Sequence, residues 1–339
     1  MKRLHFFLAA VLWMGSFPLA QDEPEQQTQE PIPADQGFRI DVRVDQVFLA
    51  VSARAHGGGF VDDLTAEDVR IYEDGVEQEI RNFAQELAPA HVALLIDASG
   101  STRFSQSSIQ RAAYNFASKL GEEDRVAIIT FSSQVKLIQN WTNDLEELDY
   151  SLKSIWPKGL TLLHDAIYLT FDDLFKDVEG KKAIILLTDG VDSNSYYRQE
   201  EVLRLAQSSE ASVYVVSLLD EYRQQAIGAR AQALAQHRTV PLEFTDAYIR
   251  KSEAFLRKLA HDTGARMFSA AAATYLSEIY EEVAEEIKNL YFISYIPSNS
   301  AKDGTWRRIE IESPTKPGVT LRTRPGYYAD PPEVTTGSR

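Results

Sequence analysis

Two uninterrupted apolar runs, each ending in small polar residues, constrain the fold of this chain more than any other feature. Residues 92–96 (VALLI) precede the sequence DASGS, and residues 183–187 (AIILL) precede TDG. Runs of this kind are typical of strands that are buried on both faces in the middle of a parallel sheet. In an open α/β sheet, ligands bind outside the carboxyl ends of the strands. We therefore expect Asp97, Ser99, Ser101 and Asp189 to meet in one crevice.

The segment 89–290 alternates apolar strands with stretches of helical period. This alternation predicts an α/β domain with a doubly wound, mostly parallel sheet and helices on both faces. Strands are predicted at residues 92–96, 126–131, 135–138, 183–187 and 213–218. Helices are predicted at residues 107–120, 145–155, 162–175, 200–208, 254–261 and 275–289.

The flanks 38–86 and 291–328 have a period of two instead, which is typical of half-buried strands. Strands are predicted around residues 40–53, 69–72, 76–83, 291–296, 306–311 and 319–323, and Asp74-Gly75 predicts a hairpin turn. Because each flank has too few strands for independent stability, we expect them to form one β-sandwich into which the α/β domain is inserted. Residues 329–339 are expected to be a disordered tail.

The amino terminus has the pattern of an export signal. A basic start, Met1-Lys2-Arg3, precedes a mostly apolar stretch, and a polar Gln/Glu/Pro-rich segment follows. This pattern predicts a signal peptide over residues 1–20 and a disordered tether over 21–37. An uncleaved anchor is the alternative, because Pro18 fits a cleavage site poorly. The predicted location is periplasmic, cell-surface or secreted, without a membrane span after cleavage.

Composition excludes several kinds of function. The formal net charge of −15 leaves no basic field for nucleic acid. The absence of cysteine excludes disulfides, thiolate metal sites and cysteine nucleophiles. A phosphate-binding glycine-rich loop is also missing, which argues against nucleotides. The sequence gives no indication of an oligomeric state.

The sequence contains parts of several enzyme motifs, but each lacks a residue that the chemistry requires. The run 56–59 (HGGG) matches part of a lipase-like oxyanion hole, but no G-x-S-x-G elbow exists, so a flexible turn is the better interpretation. Ser99 stands where a dehalogenase-type phosphatase has its second aspartate. His164 is a candidate base or a packing residue, and Asp192 either adds charge to the crevice or ends its loop. A metal-assisted hydrolase remains an alternative to a non-enzymatic protein.

At these residues the chain resembles a known family. Asp97-x-Ser99-x-Ser101, Gly159-x-Thr161 and Thr188-Asp189-Gly190 resemble the metal-ion-dependent adhesion site (MIDAS) of von Willebrand factor A-type (VWA) domains. The flanking sequences around residues 72–75, 293–295, 303–307 and 324–327 are similar to those of secreted bacterial VWA-related proteins. A plainer interpretation is that Ser99 and Ser101 only cap the following helix.

The resemblance implies a metal-dependent recognition protein. It implies that Ser99, Ser101 and Thr161 ligate a divalent ion directly, and that Asp97 and Asp189 hold its waters. Hydroxyl and carboxylate oxygens suit Mg²⁺, Mn²⁺ or Ca²⁺. The implied partner is a protein whose acidic residue completes the coordination. An envelope assembly or structural subunit is a further alternative.

A segment at residues 220–248 is longer than the strand-helix alternation requires. Residues 221–237 are predicted to form a helix with one mildly apolar face. Because this segment follows the strand at 213–218, it begins at the same edge as Asp97 and Asp189. It either covers the domain surface or forms a wall beside the crevice that selects the partner.

Overall fold

The computed structural model describes residues 46–85, 89–270 and 275–329. The predicted signal peptide and tether, and the predicted tail beyond Ala329, lie outside these residues. Within them, no helix is both long enough and apolar enough to cross a lipid bilayer.

The described residues form strands and helices in the predicted alternation. The strands are β1 (Val47–Ala55), β2 (Arg70–Glu73), β3 (Val76–Gln78), β4 (Ile80–Ala84), β5 (Ala90–Asp97), β6 (Arg125–Phe131), β7 (Val135–Thr142), β8 (Lys181–Thr188), β9 (Ser212–Ser217), β10 (Met267–Ser269), β11 (Tyr291–Tyr295), β12 (Trp306–Glu312), β13 (Val319–Arg322) and β14 (Gly326–Tyr328). The α-helices are α1 (Gln106–Ala117), α2 (Leu145–Lys153), α3 (Leu163–Leu169), α4 (Gln199–Ser208), α5 (Leu219–Ala235), α6 (Asp246–Asp262) and α7 (Leu276–Lys288).

A six-stranded sheet forms the centre of the α/β part. Its order is β10-β9-β8-β5-β6-β7, and every neighbouring pair is parallel except β6 with β7. Alternate residues of each strand pack against opposite helical layers. Val92 and Leu94 of β5 face α1, α2 and α7, whereas Ala93 and Leu95 face α3, α4 and α6. Both faces are covered, which explains why β5 and β8 have no polar alternation.

The flanks pair with each other in two antiparallel four-stranded sheets. One has the order β13-β1-β11-β4 and the other β14-β12-β2-β3, so each sheet takes strands from both ends of the chain. The alternating residues Val47, Leu49, Val51 and Ala53 all face their common core. The predicted sandwich with an inserted α/β domain is therefore confirmed.

Three details of the flanks and the sheet edge differ from the sequence prediction. The single strand predicted at 76–83 is interrupted at Glu79, so that β3 pairs with β2 in one sheet and β4 pairs with β11 in the other. Strands that change sheets at a bend are common at sandwich corners. The short edge strands β10 and β14 were not predicted, because three residues are too few to establish a period.

The sandwich is attached to one edge of the central sheet. β5 begins at Ala90, soon after β4 ends, and β11 begins at Tyr291, soon after α7 ends. Helices that follow strands in a doubly wound sheet run back to the amino ends of those strands. Both connections therefore lie at the amino edge of the sheet, and the carboxyl edge with Asp97 and Asp189 lies opposite.

Candidate functional site

The loop after β5 is organised by its own side chains. Asp97 is buried, and its Oδ1 accepts a hydrogen bond from the Ser99 amide at 2.9 Å. The hydroxyls of Ser99 and Ser101 lie 3.0 Å apart. The Thr102 hydroxyl donates to the Asp97 and Ser99 carbonyls, which curls the loop into a 3₁₀ turn at Gly100–Ser105 before α1.

The loop after β8 meets the first loop directly, because β5 and β8 are neighbours in register. The Ser101 hydroxyl donates to Oδ2 of Asp189 at 2.5 Å, and the Thr188 hydroxyl donates to Oδ2 of Asp97 at 2.9 Å. The Ser99 side chain makes no helix-capping hydrogen bond. The simple capping interpretation therefore does not describe Ser99.

Thr161 reaches the same crevice through a third loop. The Lys158 amide donates to the Ala98 carbonyl at 2.8 Å, and the Ser193 amide donates to the Thr161 carbonyl at 2.9 Å. Thr161 is buried between the other two loops. Among the described contacts, its hydroxyl makes no hydrogen bond to the other four candidate residues. The backbone alone positions it.

Gly159 allows this third loop to adopt its course. Its φ is +84°, in the region that favours glycine, and an added Cβ would collide with the Ser133 hydroxyl. The Gly100 amide lies 3.4 Å from the Gly159 carbonyl, so this contact and the one from Lys158 to the Ala98 carbonyl hold the two loops together on both sides of Ser99.

The electrostatics of the crevice favour a cation. Burial and the nearby charge of Asp189 raise the pKa of Asp97 to about 7. Burial also raises the pKa of Asp189, and the charge of Glu221 adds to this effect. Two buried carboxylates this close repel each other, and a bound divalent cation would remove that repulsion.

The side-chain donors of the candidate site are all oxygen atoms. In the described part of the chain, no three His, Asp or Glu side chains converge on one point as a metal cluster. The candidate residues instead offer two carboxylates and three hydroxyls. Oxygen ligands of this kind suit Mg²⁺, Mn²⁺ or Ca²⁺.

Asp192 and His164, which the sequence left open, have structural contacts. Oδ1 of Asp192 accepts hydrogen bonds from the amides of Leu163 and His164 and from the Ser195 hydroxyl, so it caps the start of α3. The His164 ring packs edge-on against Phe255, and burial lowers its pKa. Asp192 therefore has a structural role at the start of α3, and His164 packs on Phe255 with its Nδ1 3.7 Å from Oδ2 of Asp192.

The predicted helix of the 220–248 segment is present as α5, and it lies beside the crevice. Glu221 accepts a hydrogen bond from the Ser105 hydroxyl at 2.6 Å, and the Gln225 amide group donates to the Ser101 carbonyl at 3.2 Å. Tyr222 and Ala226 are buried in the core, so α5 is also a structural helix. Sequence reasoning missed Glu221 and Gln225 individually. Their position at the carboxyl end of β9 was the available signal.

Several solved structures are similar to this chain at low sequence identity. Solved structures with a similar fold include BatB from Bacteroides thetaiotaomicron, which is 20% identical, with 59% of this chain and 100% of that chain covered and a TM-score of 0.42. The von Willebrand factor domain of the type V pili tip protein Mfa5 from Porphyromonas gingivalis is 12% identical, with 59% and 95% covered and a TM-score of 0.44. Proximal thread matrix protein 1 of the mussel byssus, with a zinc-occupied MIDAS motif, is 16% identical, with 63% and 49% covered and a TM-score of 0.44.

No curated protein matches the sequence. A family match is found, however, and it covers residues 91–282, which include the three loops of the crevice and all helices from α1 to α6. The matched family is the von Willebrand factor type A domain. More than half of the chain lies within the match, and this protein belongs to the VWA domain family.

Proposed function

We propose that this protein is an exported recognition module that binds a protein partner through a divalent cation held by Asp97, Ser99, Ser101, Thr161 and Asp189. VWA domains are in general protein-interaction modules. The observation that carries the proposal is the convergence of three loops on two buried carboxylates that are already surrounded by hydroxyls.

The roles that we assign to these residues are those that the resemblance to the MIDAS implies. Ser99, Ser101 and Thr161 are neutral oxygen donors for the cation, and Asp97 and Asp189 supply the compensating charge from behind them. When bound, the cation supplies an open coordination position that a carboxylate of the partner fills. Because the direct donors are neutral, the cation retains much of its positive charge for that carboxylate.

Export supports the same function. We propose that the charged start and apolar stretch of residues 1–20 act as a signal peptide, so that extracellular or periplasmic fluid would supply the cation. The domain boundaries proposed are 38–86 and 291–328 for the sandwich and 89–290 for the VWA domain.

Isothermal calorimetry with Mg²⁺ and Mn²⁺ tests the metal site. Asp97→Asn and Asp189→Asn should abolish binding, because each removes a negative charge while keeping the side-chain shape. Asp192→Asn is the matched control on the same edge. It should retain the affinity, since asparagine also caps helices. Unchanged metal affinity in both site variants would exclude these residues as the site.

Crosslinking in the native envelope or medium, with and without a chelator, tests the partner. A stoichiometric partner that is lost with the chelator and in Asp189→Asn supports recognition. Turnover of phosphate or ester substrates that is lost in Asp97→Asn would instead indicate a metal-assisted hydrolase.

A further inference from the structure

A groove of about 620 Å³ lies next to the candidate metal site. It shares walls with the site, because Ala98 of the first loop and Gly159 of the third loop both line it. The remaining walls come from β6, β7 and the turn between them, and from the segment after α2. The groove therefore adjoins two of the three loops that carry the candidate metal site.

Two lysines give the groove its charge. Lys136 and Lys158 both line it and both are exposed. Across residues 46–85, 89–270 and 275–329, neither ammonium group has a carboxylate partner within 4.0 Å. Several lysines elsewhere do have such partners. These are Lys119, Lys153, Lys182 and Lys316.

The absence of carboxylate partners at Lys136 and Lys158, within the described part of the chain, matters in so acidic a protein. With a formal net charge of −15, the chain as a whole repels an acidic ligand. A groove with two uncompensated lysines beside a cation site forms a local positive field, and complementary fields determine which partner binds.

The groove also presents an aromatic anchor on a fixed support. Trp156 lines it and is 73% exposed. The segment that carries Trp156 is held by Gln106 and Gln110 of α1, whose amide groups donate to the Ile155 and Leu152 carbonyls. On the other side, the Ser133 hydroxyl accepts a hydrogen bond from the Leu160 amide at 3.0 Å. Tryptophans on rigid supports are frequent anchors in protein interfaces.

From these observations, and resting on the proposed metal-dependent function, we infer that the partner contributes an extended acidic segment. One carboxylate binds the cation, a second lies between Lys136 and Lys158, and an apolar part of the segment packs on Trp156. This assigns specificity to the groove side of the site. On the opposite side, Glu221 of α5 presents negative charge that disfavours the same segment.

A labelled oligoglutamate peptide is the probe for this inference. Its binding is followed by fluorescence anisotropy in Mn²⁺ and again after chelation, while calorimetry measures Mn²⁺ alone. The test variants are K136E, K158E and their combination, and K288E is the control with the same charge change. Lys288 is exposed at the end of α7, at the opposite edge of the sheet.

The expected result has three parts. Wild type binds the peptide only with Mn²⁺, and the double variant binds it about tenfold or more weakly at low salt, whereas K288E stays near wild type. The Mn²⁺ affinity is not lowered in any lysine variant, because a glutamate beside the site attracts the cation. Peptide binding also changes the tryptophan emission, and this change disappears in Trp156→Phe.

Other outcomes would overturn the inference in distinguishable ways. If Mn²⁺ binds but the lysine variants bind the peptide as well as wild type does, or if wild type itself does not bind the peptide, the groove assignment fails and the metal site stands. Lysine-dependent binding that survives chelation would make the groove a separate anion site. Equal binding of polyuridylate would make it a general polyanion surface. If Mn²⁺ does not bind at all, both proposals fail.

Discussion

Replacing Glu286 by glutamine should destabilise this protein far more than replacing any other carboxylate of the same helix. Glu286 lies on α7 with no exposed surface. Its carboxylate contacts Arg54 of β1 at 3.2 Å, Arg266 before β10 at 2.9 Å, and Arg322 of β13. One buried charge thus joins the VWA domain to the first sandwich sheet.

The size of the stability loss depends on which arginines would be left without a carboxylate partner. Arg54 and Arg266 also pair with Glu282, at 3.0 and 2.5 Å. Arg322 has no second carboxylate among the described contacts, and burial lowers its pKa. Removing one member of a buried ion pair costs about 3 to 5 kcal/mol, so we expect about 3 kcal/mol for Glu286→Gln. For a protein of this size, that corresponds to a decrease in Tm of about 6 to 12 °C.

The matched control is Glu282→Gln. Glu282 lies one turn earlier on α7 and pairs with two of the same arginines, but its side chain is 40% exposed. Solvent screens such a pair, and we expect a loss below about 1 kcal/mol. Urea titrations of both variants, with two spectroscopic probes to check for a two-state transition, measure the difference. Equal losses in the two variants would refute the reasoning that burial of Glu286 makes it the essential member of the network.

Three further predictions concern the site loop, pH and the domain organisation. Gly159→Ala should lower the Mg²⁺ affinity severalfold in calorimetry, because the added methyl group meets the Ser133 hydroxyl at positive φ; unchanged affinity would mean that the loop does not position Thr161. Burial favours the neutral form of His164 and lowers its pKa below the usual value of about 6.5. The free energy of unfolding is therefore highest above about pH 6.5, and it decreases as the pH falls through the lowered pKa of the folded state. His164→Leu should therefore flatten thermal stability between about pH 7 and 5, and an unaltered pH profile would contradict this. Finally, a fragment of residues 89–290 should fold alone, whereas residues 38–86 without 291–328 should not, because their strand edges are unpaired; a dispersed amide spectrum of the short fragment would indicate two separate domains.

The central sheet was predictable from sequence because its strands are unusually apolar. β5, β6, β8 and β9 are buried on both faces, so their sequences are apolar runs without a polar alternation. The sandwich was predictable as a pairing of the two flanks, because period two and the hairpin turn at Asp74-Gly75 are local signals. The interruption of the strand at Glu79 was not predictable. A bend that sends β3 and β4 into different sheets depends on the partners β2 and β11, which are distant in sequence.

The candidate site was predictable to the extent that its residues end strands. Asp97 and Asp189 follow neighbouring buried strands, so the topology of a parallel sheet brings them together. Thr161 required the family resemblance, since the loop that carries it follows α2 and not a strand. The Glu286 network and the two groove lysines have no sequence signature. Each depends on which surfaces pack together and which remain without a partner.

The position at which the sandwich joins the VWA domain determines which edge of the sheet can recognise a partner. At the amino edge, Phe48 and Ala50 of β1 and Lys181 and Ala183 of β8 line a cavity of about 290 Å³ between the two parts. Arg324 adds a hydrogen bond there to the Ser209 carbonyl at 3.3 Å. That edge is occupied by the protein itself. A sandwich built from both ends of the chain must connect to the domain where the first strand begins and the last helix ends, and in a doubly wound sheet both points lie at the amino edge. Within residues 46–85, 89–270 and 275–329, the sandwich therefore does not cover the carboxyl edge, where the three loops and the lysine groove lie.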